Sequence, residues 1–219
     1  MDLSVIDWED ILQATIDTLT MTGVSLAFTL LLGLPLGVLL FLTSKRQLLE
    51  QNWVYQIASL IVNILRSVPF IILLIVLIPL TLLLVGTSLG VAGTIPPLVI
   101  GTTPFFARLV ENVLREVDRG VLEACQAMGA KTHQIILRAL LPEALPGLLA
   151  AATVTTIALV SYSAMSGVIG GGGLGDLALR FGYQRFQTEV MIVTVAILVI
   201  LVQGIQWLGD ALVRKFTRK

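Results

Sequence analysis

Five long apolar stretches, separated by polar segments, make up most of the chain. They cover approximately residues 19–42, 57–85, 95–113, 145–169 and 190–213. Each is close to or above the roughly 20 apolar residues that an α-helix needs to cross a bilayer. The pattern predicts an all-α membrane protein with five transmembrane helices, folded as one transmembrane domain over residues 1–219.

Prolines and glycines modify two of the predicted helices. The second span is too long for an upright helix, and we expect Pro69 and Pro79 to kink or break it, because proline lacks the N–H that continues a helix. In the first span, Gly33 and Gly37 lie on one helix face and allow another helix to approach closely. This pair either packs two copies of the chain together or is a chance occurrence in a glycine-rich apolar segment.

The composition supports a membrane protein and excludes other classes. Hydrophobic residues make up 56% of the chain and charged residues 13%, which is about half the charged fraction of a soluble domain. The mean hydropathy of +0.95 excludes a disordered chain. The 14 basic and 14 acidic side chains cancel, so the chain lacks the excess of basic residues that nucleic-acid binding needs.

The order of the charges predicts the orientation, because Lys and Arg are retained on the cytoplasmic side. With the N-terminus outside and the C-terminus in the cytoplasm, the outside segments contain only two basic residues, Arg180 and Arg185. The ten basic residues inside are Lys45, Arg46, Arg115, Arg119, Lys131, Arg138, Arg214, Lys215, Arg218 and Lys219. Residues 1–17 form an acidic amphipathic lead-in without Lys or Arg, so we expect no cleaved signal peptide.

The sequence carries no pattern of a catalytic or metal site. It lacks the G-x-x-x-x-G-K-[S/T] loop that holds ATP phosphates. Cys125 and His133 are the only cysteine and histidine, so they cannot form a metal cluster by themselves. Gly170, Gly172 and Gly175 match a dinucleotide-binding pattern, but they lie between membrane-length segments, so we interpret them as a hinge or tight loop. We predict that the chain is not an enzyme and binds no cofactor or metal.

The polar segment at about residues 118–143 predicts a helix–turn–helix on the cytoplasmic side. Residues 121–128 suit a short helix, and Gly129 can adopt a positive φ and end it. A second short helix over residues 131–140 would stop at Pro142, where the next span begins. On physical grounds alone, an ordinary amphipathic hairpin at the membrane surface explains this segment equally well.

This segment resembles the EAA motif of ABC-importer permeases, which reads E-A-A-x-x-x-G, nine residues, then I-x-L-P. The positions that carry the resemblance are Glu123, Ala124, Cys125, Gly129, Leu141 and Pro142. Cys125 replaces the second alanine and Ala139 replaces the isoleucine. Both replacements are small and leave the glycine and the proline in place.

The resemblance extends over nearly the whole chain to the permeases of bacterial methionine-uptake importers. It rests on residues 67–71, 123–175 and the five-span layout. It implies a multi-pass permease of the bacterial inner membrane that imports methionine by alternating access. It also implies four kinds of contact: a second copy of the chain, two ATP-binding subunits that hold ATP and Mg, an external substrate-binding lipoprotein, and the lipid bilayer.

The resemblance also implies two sets of site residues. The residues expected to couple the permease to the ATPase are Glu123, Ala124, Cys125, Met128, Gly129, Ala130, Leu141 and Pro142. Polar or flexible residues within spans are candidates for the translocation pathway or its gate: Asn63, Arg66, Ser67, Ser161, Tyr162 and Met165. Each of these six could instead serve hydrogen bonding between helices or ordinary packing.

Three other functions remain open from the sequence. The substrate could be another amino acid. An ATP-independent secondary transporter or channel would more often carry acidic residues inside the membrane for ion coupling, and here only Glu111 lies near the interior of a span. A membrane scaffold that transports nothing would explain the spans but not the spacing of the EAA-like segment.

Overall fold

A computed structural model describes residues 7–217 as a bundle of helices without strands. The longest are α1, Trp8–Thr43, and α10, Thr188–Phe216. The others are α2, Asn52–Ser67; α3, Phe70–Val76; α4, Ile78–Val85; α5, Gly90–Glu116; α6, Arg119–Ala127; α7, Thr132–Ile135; α8, Leu141–Ser166; and α9, Gly173–Leu177. Short π turns, Ile136–Leu140 and Ala178–Tyr183, follow α7 and α9.

Helices α1 and α5 form the centre of the bundle and run parallel to each other. Gly33 lies against Phe106, and one turn further on Gly37 lies against Val110. A Cβ atom on Gly37 would come within 2.5 Å of the Val110 Cβ, so only glycine permits this approach. The expectation of close helix packing at these glycines is therefore confirmed. Their use between two copies of the chain is wrong, because α5 of the same chain occupies the face.

The second predicted span is broken, as the prolines indicate. Helices α2 and α3 meet at an angle of 102° across a break that contains Pro69. Helix α4 begins anew at Ile78, with Pro79 in its first turn, where the missing N–H costs nothing. The prediction of kinks or breaks at both prolines is confirmed.

Several helices are long and apolar enough to cross a membrane. Among the described residues, four segments meet this criterion singly: Trp8–Thr43, Gly90–Glu116, Thr132–Ile169 and Thr188–Phe216. The bent pair of α2 and α3 provides a fifth if it is counted as one span. The all-helical architecture with four to five candidate membrane helices agrees with the predicted fold class.

Two helices extend beyond the limits that the sequence pattern suggests. The part of the acidic lead-in from Trp8 onward is the first part of α1 rather than a separate segment. Pro142 does not end a short helix, since the chain is helical from Thr132 to Ile169. A π turn, in which the Leu141 N–H donates to the Ile136 carbonyl, widens the helix directly before the proline. Pro142 thus lies where the hydrogen bonds of the helix change from i→i−5 back to i→i−4. Because of this change, the missing N–H of Pro142 does not interrupt the helix.

Charged residues gather at the two ends of the bundle. At one end, residues 46–48 after α1 line a cavity of about 170 Å³ together with Arg119, Glu123 and Gln126 of α6. The last turn of α10 lies at this end as well, since Phe216 lines a cleft with residues of α6 and α8. At the opposite end, acidic residues of α1 lie beside the glycine-rich segment before α9.

Candidate coupling segment and pathway residues

Helix α6 is a well-defined short helix with caps at both ends. The Asp118 carboxylate accepts a hydrogen bond of 2.8 Å from the Gly120 N–H at the start of the helix. At its end, Gly129 has φ +76°, and the Ala130 N–H donates to the Cys125 carbonyl. This 6→1 bond, together with the bond from Gly129 to Gln126, is the Schellman arrangement that requires a left-handed residue. The prediction that Gly129 ends the first helix with a positive φ is confirmed.

One side of α6 is held by the bundle and the other side is free. Leu122 is buried in an apolar cluster with Phe41, Leu114 and Ile135. Glu123 and Ala124 are exposed, and Met128 is 78% exposed at the corner before Gly129. The exposed side therefore offers the carboxylate of Glu123, the small side chain of Ala124 and the large apolar side chain of Met128 to the surroundings.

The other predicted coupling residues divide between the two sides. Cys125, Ala130 and Leu141 are half-buried and pack against the cluster that holds Leu122. Pro142 is exposed on the first turn of α8. These inward-facing residues fix where α6 lies, whereas the outward-facing ones are available for contact.

The candidate pathway residues of α2 have different surroundings. The Asn63 Oδ1 atom accepts a hydrogen bond of 2.9 Å from the Arg108 guanidinium on α5. The Ser67 hydroxyl donates to the Asn63 carbonyl within α2 at 2.7 Å. Arg66 is exposed. Asn63 thus makes a contact between helices, while Ser67 only satisfies its own helix.

The candidate pathway residues of α8 point in different directions. Tyr162 stacks on Phe70 of α3. Ser161 donates to the Ile157 carbonyl and lines an apolar groove of about 430 Å³ between α8 and α10. Met165 is exposed. Within one copy of the chain, the described structure does not bring the six candidates together in one cavity.

An ionic group on α5 was missed as a candidate site. Arg108, Glu111 and Arg115 lie three and four residues apart, and both arginines bind the Glu111 carboxylate. This spacing on a helix is readable in the sequence, because residues three and four apart are neighbours. Among the described residues, no group of three or more His, Cys, Asp or Glu side chains could hold a metal ion.

The glycine-rich segment before α9 is a tightly packed loop. A Cβ atom on Gly171 would lie 2.5 Å from the Ser166 hydroxyl and 2.7 Å from the Thr94 hydroxyl. The Leu174 N–H donates to the Thr18 hydroxyl of α1 at 2.9 Å. Because the segment follows a helix and the described chain contains no strand, a dinucleotide-binding unit is excluded there.

These features define a class: a helical membrane protein with apolar spans, a broken span and a capped helix exposed at one end. Residues 33–218 match the family described as binding-protein-dependent transport system inner membrane component, and the chain belongs to this family. The predicted resemblance to ABC-importer permeases is thereby confirmed. The chain is a transport component of an ABC importer and not an enzyme.

Comparisons over nearly the full length support this membership. The chain is 51% identical to a probable D-methionine transport system permease protein MetI of Vibrio cholerae, over 94% of this chain and 91% of that one. It is 48% identical to the methionine import system permease protein MetP of Bacillus subtilis, over 94% and 92%.

Solved structures give the same result for the fold. A chain of the MetNI methionine ABC transporter in an inward-facing conformation matches with a TM-score of 0.95 and 49% identity, over 96% of this chain and 97% of that one. An amino acid ABC transporter with histidines matches with a TM-score of 0.77 at 21% identity, which shows a shared fold alone.

Proposed function

We propose that this chain is the permease subunit of an ATP-driven methionine importer in the bacterial inner membrane. The observation that carries the proposal is the match to the MetNI transporter, which covers 96% of this chain at 49% identity. Relatives named as methionine permeases from two distant bacteria, each about half identical, support the same substrate.

The proposed assembly contains two copies of this chain, two ATP-binding subunits that hold ATP and Mg, and an external substrate-binding lipoprotein. The N-terminus lies outside and the C-terminus in the cytoplasm. The distribution of charge supports this orientation, since the bundle end with α6 and the end of α10 is rich in Lys and Arg. Residues 218–219, which complete the basic C-terminus, lie outside the described residues.

Helix α6 is the proposed cytoplasmic coupling helix. Its exposed side would enter a cleft of the ATPase, with Glu123 paired to a basic residue, Ala124 allowing close approach and Met128 filling an apolar depression. Cys125, Ala130 and Leu141 would hold this side in place from the bundle, and the exposed Pro142 would lie beside the contact with the ATPase. The caps at Asp118 and Gly129 support this role, because a rigid helix transmits a displacement better than a loose loop.

The path from α6 to the membrane interior supports alternating access. The helix from Thr132 to Ile169 has 38 residues, which corresponds to a length of about 57 Å. Only Ala130 and Lys131 separate its first turn from Gly129, and its last part carries Tyr162 and Met165. A displacement of α6 therefore moves the candidate gate through one continuous helix, as expected when one half of a transporter rocks against the other.

Uptake by the reconstituted complex tests the proposal. The permease, its ATPase and its binding protein are placed in proteoliposomes, and entry of labelled methionine is followed with and without ATP. We expect uptake only with ATP, with competition by unlabelled methionine and not by a panel of other amino acids. Uptake without ATP would identify a secondary transporter, and stronger competition by another amino acid would overturn the methionine assignment.

A further inference from the structure

A polar contact joins α2 to α5 through the candidate pathway residue Asn63 and through three side chains to which the proposed function gives no role: Ser59, Arg108 and Glu111. On α5, Glu111 is 1% exposed and both of its carboxylate oxygens are occupied. Arg108 Nη1 lies 2.5 Å from Oε2, and Arg115 Nη2 lies 2.6 Å from Oε1. Glu111 therefore fixes the position of both guanidinium groups.

The second amino group of Arg108 reaches across to α2. Its Nη2 atom donates to the Ser59 hydroxyl at 2.8 Å and to Asn63 Oδ1 at 2.9 Å. Ser59 and Asn63 are four residues apart and lie on one face of α2. One guanidinium thus connects two turns of α2 to a carboxylate buried on α5. We call these four residues, Ser59, Asn63, Arg108 and Glu111, the α2–α5 polar contact.

Apolar packing holds α2 only weakly. Of its sixteen residues, all within the described chain, Val62 alone is buried, in a small cluster with Leu40 and Ala107. Beyond Ser67 the chain turns by 102° into α3, so the next helix does not continue its direction. The polar contact is therefore a major connection between α2 and the rest of the bundle.

An ionic connection is a costly way to hold a helix inside an apolar protein. Burying charges loses their hydration, and apolar residues of similar size often stabilise a fold as well or better. Ionisable side chains within membrane segments accordingly mark functional positions more often than simple packing positions. A role in the transport cycle explains this group better than stability alone.

The location of the contact indicates what this role is. Arg108 and Glu111 lie in the last three turns of α5, and only Val117 and Asp118 separate α5 from α6. A displacement of α6 reaches these turns before any other part of α5. The contact then passes the displacement to α2, in addition to the direct path through α8.

We propose that Arg108 is a positioning residue that makes α2 move together with α5 when the coupling helix is displaced. This inference rests on the proposed transport function and assigns a second route for its coupling. Because α2 carries three of the candidate pathway residues, the contact would make that side of the pathway move together with α8.

The test measures methionine imported per ATP hydrolysed in proteoliposomes that contain the complete importer. Asn63→Leu removes an acceptor of Arg108 and leaves the Arg108–Glu111 pair intact. We expect a loss of roughly tenfold in this ratio, the scale of one hydrogen bond to a charged group, with normal assembly of the complex. Asn63→Asp keeps an oxygen acceptor for Arg108 and should lower the ratio clearly less than Asn63→Leu does.

Three further variants separate a positioning role from a general effect of the substitutions on α2. Arg108→Lys keeps the charge beside Glu111 but loses the forked geometry that reaches both Ser59 and Asn63, so it should lower the ratio at least as far as Asn63→Leu does. Combined with Asn63→Leu, it should cost no more than Arg108→Lys alone, because the Arg108–Asn63 bond is already lost in that variant. Gln56→Ala, on an exposed position of α2 without a side-chain hydrogen bond in the described chain, is the matched control and should leave the ratio unchanged.

The outcomes distinguish this inference from the proposed function. An Asn63→Leu complex with the wild-type ratio, or additive losses in the double variant, would overturn the positioning role while methionine import stands. An equal loss in Gln56→Ala would do the same, because any change in α2 would then uncouple transport. Absence of methionine uptake in the wild-type complex would instead overturn the proposed function.

Discussion

The ring of Phe70 stacks on the ring of Tyr162, with centroids 4.4 Å apart and planes inclined by 10°. Phe70 is the first residue of α3 after the break at Pro69, and Tyr162 lies near the end of α8. The pair belongs to an apolar cluster that also contains Met21 and Leu98. It joins the broken span to the helix that begins at the proposed coupling segment.

Removing the aromatic ring of Tyr162 should weaken this junction. Tyr162→Ala loses the stacking energy of roughly 1 kcal/mol in addition to its contact area, so we expect a lower melting temperature and slower methionine uptake. Tyr162→Phe keeps the ring, and the hydroxyl makes no hydrogen bond within the described residues, so it should melt like the wild type. Thermal unfolding of the purified permease checks both variants. Equal melting of the Ala and Phe variants would contradict a contribution from the stack.

Substitution of Gly37 should destabilise each copy of the chain. A Cβ atom there would lie 2.6 Å from the Ala107 carbonyl oxygen as well as against Val110, and such overpacking costs about 1–3 kcal/mol. Gly23 lies in the same helix with no described atom within 4 Å of its Cβ position. We expect Gly37→Ala to melt at a clearly lower temperature and Gly23→Ala to match the wild type or exceed it slightly.

The same pair of variants tests where the glycine face packs. If Gly37→Ala melts normally but separates the two copies of the chain, as measured by light scattering in detergent, the face belongs to a dimer contact and not to α5. Loss of stability without selective loss of the dimer is the expected result.

The sequence predicted features that depend on local chemistry. The break at Pro69 follows from the missing N–H, and the positive φ at Gly129 follows from a glycine after a short helix. Features that depend on distant partners were not predictable. The spacing of Gly33 and Gly37 indicates that a helix approaches, but not which helix. The continuation through Pro142 depends on a π turn whose register is set by tertiary packing.

The ionic group on α5 also has one part that local sequence predicts and one part that depends on distant residues. The positions of Arg108, Glu111 and Arg115 along the chain predict that they interact, because they are helix neighbours. Their connection to Ser59 and Asn63 spans more than 40 residues and a bend of 102°, which local patterns do not describe.

Gly129 should be indispensable for coupling but not for membrane insertion. Its φ of +76° is incompatible with proline, which fixes φ near −65°, so Gly129→Pro should misdirect α6 and abolish transport and coupled ATP hydrolysis. Deletion of residues 123–129 should have the same effect. Asparagine tolerates the left-handed region, so Gly129→Asn should keep most of the activity. Gly204→Ala, in open space on α10, is the control.

Copurification of the ATPase subunit and uptake assays check these variants, with membrane fractionation as the measure of insertion. A Gly129→Pro permease that assembles with its ATPase and transports at the wild-type rate would contradict the coupling role of α6.

A buried hydrogen bond between Thr29 and Thr102 provides a test of how α1 and α5 are held together. Their hydroxyl oxygens lie 2.8 Å apart, and both residues are 0% exposed. The Thr102 hydroxyl also lies 2.6 Å from the Leu98 carbonyl, which can only accept. Thr102 therefore gives its proton to Leu98, and Thr29 donates to the Thr102 oxygen.

This direction predicts unequal effects of the two single substitutions. Thr29→Val removes the donor and leaves Thr102 still bonded to Leu98. Thr102→Val instead leaves the Thr29 hydroxyl proton without its acceptor. We therefore expect Thr102→Val to be the more destabilising substitution. Replacing both with valine removes donor and acceptor together and should cost less than the sum of the single changes. The coupling energy expected between two such groups in a membrane protein is about 0.6 kcal/mol. Unfolding of the four proteins in a double-mutant cycle measures it, and strictly additive changes would show that Thr29 satisfies its hydroxyl elsewhere.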